Sequence, residues 1–229
     1  MRLLLTSNGL SNDSIAHALE ELTGKKPTDT KIAFIPTAAN PDRENKDWLI
    51  EDLYNIHSRG YYVDIIDLPA ITQTKLKQAL DNVDVIFVGG GNTFYLSYWI
   101  QKSGLSGMLP ELLKSKVYAG ISAGSMVAGR SLKLSSQIDE SPITFADNNY
   151  DLIGPTGESS AKTLNLTDIV FTPHLNSEYF KLVRKDILIE KAKGLKWPVY
   201  ALDDNSALKI VDDKIEVISE GDWTFIKPK

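Results

Sequence analysis

The chain has 229 residues, 42% hydrophobic and 24% charged, with a formal net charge of −5 and no cysteine. That length and balance fit a single folded α/β domain, residues 1–229, and exclude a disordered or fibrous chain. The missing cysteines exclude a disulfide framework, a thiolate nucleophile and a cysteine-ligated metal, and the acidic balance without a Lys/Arg cluster speaks against a nucleic-acid partner.

In chain order, short runs rich in Leu, Ile, Val and Phe at 2–6, 31–36, 62–67, 83–89 and 117–121 read as strands. They lack polar alternation, as strands covered by helices on both faces do. Amphipathic segments at 14–22, 45–59, 72–80, 93–102 and 109–114 alternate with them, so the first half is a βαβ series. The apolar start, Leu3-Leu4-Leu5, is too short for a secretory signal, and no run approaches the ~20 residues that span a bilayer. The expectation is a cytoplasmic protein with no membrane partner.

Beyond Ser122 the pattern turns irregular, and polar, aperiodic residues 139–160 read as a rim or lid over a site, or as a plain surface excursion. A buried strand at 168–171 and a charged helix at 178–193 follow. Short strands at 199–202, 207–211, 215–218 and 224–226 close the chain as an antiparallel extension, with Asp212-Asp213-Lys214 a hairpin turn. The predicted fold is a flavodoxin-like α/β/α sandwich with a mostly parallel sheet.

Four strand ends carry residues with chemistry. After 117–121 comes Gly120-Ile121-Ser122-Ala123-Gly124, the G-x-S-x-G pattern of a nucleophile elbow, in which small neighbours allow a sharp strand-to-helix turn that projects the serine hydroxyl. After 83–89 comes Gly89-Gly90-Gly91-Asn92-Thr93, whose backbone N–H groups can face an anion or an oxyanion. This run is neither G-x-G-x-x-G nor a P-loop, which argues against a nucleotide cofactor. If the two strands are neighbours, both loops open on one crevice, and Ala123 N–H with Gly90 or Gly91 N–H makes an oxyanion hole.

A serine needs a base, and the chain has three histidines. His17 and His57 fall mid or late in helices, whereas His174 follows a strand end and is the favoured base. Its second nitrogen needs an acceptor, and Asp203 and Asp204 follow the strand at 199–202; Asp204 is preferred, with Asp203 the alternative. No His-x-x-x-His or His-Glu pair suggests a metal. Tyr98 and Trp99 suit an interface as well as a core, so homodimerisation stays open.

These residues, with Phe94, Ser125 and Pro173, resemble in kind and order the motifs of the peptidase E family of serine peptidases over nearly the whole chain. The resemblance implies a catalytic triad of Ser122, His174 and the Asp203-Asp204 position, where relatives carry glutamate. It implies oxyanion donors at Gly90 and Ala123, no cofactor, and a small peptide substrate, foremost a dipeptide with amino-terminal aspartate. Asn92 and Thr93 are substrate-binding candidates. An aspartyl substrate calls for a cation, and Arg184 is the nearest, with Lys181 and Arg130 behind it. The alternatives are a serine hydrolase acting on another amide or an ester, and a non-catalytic flavodoxin-like module that binds a nucleotide or phosphate at the glycine turn.

Overall fold

A computed structural model describes residues 1–42, 45–134 and 162–227. The rim or lid expected at 139–160 lies outside the described residues.

The first half alternates as expected: β1 (Arg2–Thr6), α1 (Asp13–Thr23), β2 (Lys31–Ile35), α2 (Asp47–His57), β3 (Tyr62–Ile65), α3 (Gln73–Asp81), β4 (Val85–Val88), α4 (Thr93–Lys102), α5 (Leu105–Leu112) and β5 (Val117–Ile121). Helix starts are set by local chemistry. Asn12 and Thr72 accept from Ile15 N–H and Lys75 N–H as N-caps of α1 and α3, and Gly24 ends α1 in the left-handed region at φ 66°.

The central sheet has the order β3-β2-β4-β5-β1-β8-β9, where β8 (Ser206–Val211) and β9 (Lys214–Ser219) join antiparallel to the parallel five. Side chains of β1, β4 and β5 alternate between its faces. Leu3, Leu5, Ile86, Val88 and Tyr118 pack on the side of α3–α5, and Leu4, Val85, Phe87, Ala119 and Ile121 on the side of α1. Both faces being covered explains why these strands read as continuous apolar runs.

Two expectations are corrected. The strand before His174, β6 (Val170–Thr172), and the strand before the aspartates, β7 (Val199–Leu202), lie outside the central sheet. They pair parallel with each other, and β10 (Trp223–Ile226) adds antiparallel to β7, giving a second, three-stranded sheet. Also, the helix expected over 178–193 forms only at α7 (Lys185–Lys191). Residues 176–184 fold instead as a loop whose ends are bonded, Asn176 N–H donating to Val183 O. The Arg184 guanidinium donates to the carbonyls of Ser177, Phe180 and Val183, which a helix would have used internally.

Candidate active site

Ser122 sits between β5 and α6 (Ala123–Ala128) with φ 47° and ψ −106°, a conformation that L residues adopt only when their surroundings impose it. The surroundings here are backbone. A Cβ on Gly120 would lie 2.6 Å from Gly124 C and Ser125 N, and one on Gly124 would overlap the Val88 carbonyl oxygen. Both glycines of the elbow are therefore required by close approach. Ser122 N–H donates to Thr6 O at 3.0 Å, and Ser125 Oγ donates to the same oxygen at 2.8 Å. The fully buried Tyr118 hydroxyl donates to Gly124 O at 2.6 Å, and burial pushes its phenol far above the ordinary range.

β4 and β5 are adjacent and parallel, so the glycine turn and the elbow share one sheet edge. A Cβ on Gly90 would stand 3.5 Å from Ser122 Cβ, 3.7 Å from Ile121 O and 3.8 Å from the Trp48 ring, so the glycine turn approaches the elbow closely. Gly91 has φ 123° and turns hard against Ala38, whose oxygen a Cβ would strike. Asn92 Oδ1 accepts from Phe94 N–H and Tyr95 N–H as the N-cap of α4, and the Thr93 hydroxyl is buried against Met126 Sδ at 3.7 Å. Both expected substrate-binding side chains thus already have partners at the head of α4.

The second sheet brings the remaining groups. His174, at φ 61°, places Nε2 2.9 Å from Ser122 Oγ and Nδ1 2.6 Å from Asp204 Oδ1. With the hydrogen on Nδ1 directed to the carboxylate, Nε2 accepts the serine hydrogen. Asp203 has different work: its carboxylate accepts from Asn205 N–H, Ser206 Oγ and Asp222 N–H, closing the turn at the end of β7. His17 and His57 are exposed on α1 and α2.

Sequence reasoning missed two residues at this contact, Ser7 and Phe180. Ser7 Oγ donates to Leu202 O at 2.8 Å and accepts from His174 N–H, joining the two sheets at the histidine. Its position just past β1, another strand end on the same edge, was the available signal. Phe180 stacks on the imidazole, ring centroids 4.5 Å apart and planes 11° apart. Away from this contact, Asp52 on α2 is buried, its Oδ1 3.0 Å from where a Gly9 Cβ would be. Burial, with neighbouring Glu51 adding, pushes the Asp52 carboxyl up to about 7.

Of the cations expected near a substrate, Arg130 is ion-paired with Asp168 and Lys181 is exposed. Arg184 is bound to three carbonyls and pairs with no carboxylate among the described residues. Those residues hold no cluster of His, Asp and Glu able to bind a metal, and no helix long and apolar enough to cross a membrane.

A strained serine at an elbow, hydrogen-bonded to an imidazole that is hydrogen-bonded in turn to a carboxylate, is the arrangement by which serine hydrolases activate a hydroxyl. Comparison with known proteins agrees. The model of peptidase family S51 matches residues 3–218. The chain is 28% identical over 232 residues to Peptidase E of Streptomyces coelicolor, covering 97% of this chain and 86% of that one. It is 25% identical over 185 residues to Uncharacterized peptidase Lin0382 of Listeria innocua, covering 80% and 82%. In fold it resembles the crystal structure of a peptidase from an acI-B1 Actinobacterium, at TM-score 0.62 and 18% identity over 99% and 94% of the two chains. The chain belongs to peptidase family S51 and is a serine-type peptidase.

Proposed function

We propose that the protein hydrolyses small peptides through an acyl-enzyme on Ser122, with dipeptides carrying amino-terminal aspartate as its foremost substrates. Ser122 Oγ attacks the scissile carbonyl carbon while its proton passes to His174 Nε2, and Asp204 holds the ring and stabilises the imidazolium. The N–H groups of Gly90 and Ala123 receive the oxyanion; Gly91 serves the turn. The C–N bond then breaks with its electron pair going to nitrogen, the imidazolium returns the proton to the leaving amine, and water attacks the acyl-enzyme by the same base. The 2.9 Å contact between His174 and Ser122 is the observation that carries this reading.

For the aspartyl preference the support is the positive charge of Arg184, unpaired with any described carboxylate on the loop over His174. The engagement of that guanidinium with three carbonyls favours a second reading, the same chemistry on an amide or ester without an acidic residue. A panel of Asp-X, Glu-X and neutral dipeptides with wild-type and Ser122→Ala protein separates them. Wild-type turnover confined to Asp-X, lowered about 10⁴-fold or more in the variant, supports the first reading. Turnover of neutral dipeptides at equal kcat/KM removes the aspartyl preference and leaves the nucleophile.

A further inference from the structure

Phe180 and Tyr179 are a puzzle for packing alone. Tyr179 is 93% exposed and Phe180 48% exposed, although both belong to a loop with extensive internal bonding. Besides the three carbonyls held by Arg184, Val183 N–H donates to Phe180 O, Ser177 N–H to His174 O, and Tyr179 N–H to Ser177 Oγ. This loop fixes the Phe180 ring face to face with the imidazole at 4.5 Å while leaving half of it open to solvent. Burial contributes little to Tyr179 and, to Phe180, only about half of what a core phenylalanine gains. An apolar surface fixed beside a catalytic centre is the form that ligand sites take.

The mechanism says which part of a substrate comes there. His174 Nε2 must return its proton to the leaving nitrogen, which therefore approaches to about 3 Å. The side chain of the leaving residue begins two bonds from that nitrogen, so it emerges within reach of a ring stacked on the same imidazole. The acyl residue, in contrast, lies on the Ser122 side of the scissile bond. We infer that Phe180 forms the subsite for the leaving residue of the substrate, and that this subsite selects apolar, above all aromatic, side chains at the second position of a dipeptide. The inference rests on the reading of His174 as base and acid.

The expected contribution is that of one apolar contact made or lost, about tenfold in kcat/KM. The test uses dipeptides ending in Gly, Leu or Phe behind one shared amino-terminal residue that the enzyme accepts, assayed with wild-type, Phe180→Ala and Tyr179→Ser proteins. Ser122 labelling by a fluorophosphonate is followed in parallel. Expected are a wild-type order Phe > Leu > Gly spanning about tenfold, a collapse of that span in Phe180→Ala with Ser122 labelling retained, and a span kept in Tyr179→Ser, an exposed control on the same loop. Turnover that ignores the leaving residue, or a span unchanged in Phe180→Ala, overturns the subsite and leaves the triad standing. If wild-type protein neither labels nor cleaves, the triad reading fails and the subsite falls with it.

Discussion

The site is assembled from two regions built on different principles. Its serine half, β4, β5 and α6, is fixed by backbone contact: two glycines whose Cβ would strike neighbouring main chain, and a serine held at φ 47° between them. Its histidine half, β6, β7 and the loop 176–184, is fixed by side-chain hydrogen bonds that Ser7 and Arg184 donate and Asp203 accepts, on a sheet of three strands among the described residues. Steric fixation tolerates no added atom, whereas polar fixation tolerates change in steps. Substitutions in the two halves should therefore fail differently: an added atom in the first destabilises the fold, whereas in the second the outcome depends on which hydrogen bond is cut.

The sharpest break comes from the adjacent aspartates. Asp204→Asn should lower kcat/KM by about 10⁴-fold with little change in Tm, because the ring loses its partner but the turn stays closed. Asp203→Ala should do the reverse: it strips the acceptor from three donors at the turn, costing roughly 2 kcal/mol in urea unfolding. Equal losses of activity in both would deny the division of labour. In the serine half, Gly124→Ala forces a methyl into the Val88 carbonyl and should cost about 3 kcal/mol, lowering Tm by roughly 6–12 °C. A variant as stable as wild type would show that the elbow is less tightly confined.

A smaller effect sharpens the comparison by pH. Asp52 on α2 is 5% exposed, with its carboxyl raised from 3.8 to about 7. Because the folded value exceeds the unfolded one, the stability linked to this proton is complete below about pH 4 and is lost as pH rises through about 7. Between pH 5 and 8 the wild type should lose roughly 2.5 kcal/mol relative to Asp52→Asn, read from urea midpoints. A stability difference that does not change over this range would mean that the carboxyl is not held in a dry environment.

Much of the candidate site was legible because each of its expected residues follows the end of a strand. A parallel sheet collects such ends, so the glycine turn, Ser122, His174 and the aspartate pair could be named from local pattern. The choice between Asp203 and Asp204 could not: both follow Leu202, and only the path of the chain turns one toward the imidazole and the other toward Asp222 N–H. The second sheet was hidden because its pairings, such as Thr172 with Ala201, are long-range and the strands alone are as apolar as central ones. The loop at 176–184 read as helix because its charged, amphipathic composition carries no mark of Arg184 capturing its carbonyls or of Phe180 leaving for the imidazole. Among the described residues, Tyr98 and Trp99 pack partly buried against the main core cluster, with rings 5.4 Å apart.

The central claim is that Ser122 is a nucleophile activated through His174, and covalent capture tests it most directly. Incubated with a fluorophosphonate and read by peptide mass spectrometry, wild-type protein should carry the adduct on Ser122, Ser122→Ala none, and His174→Ala a strongly reduced amount. An unlabelled wild type, or equal labelling of wild type and His174→Ala, would contradict the account.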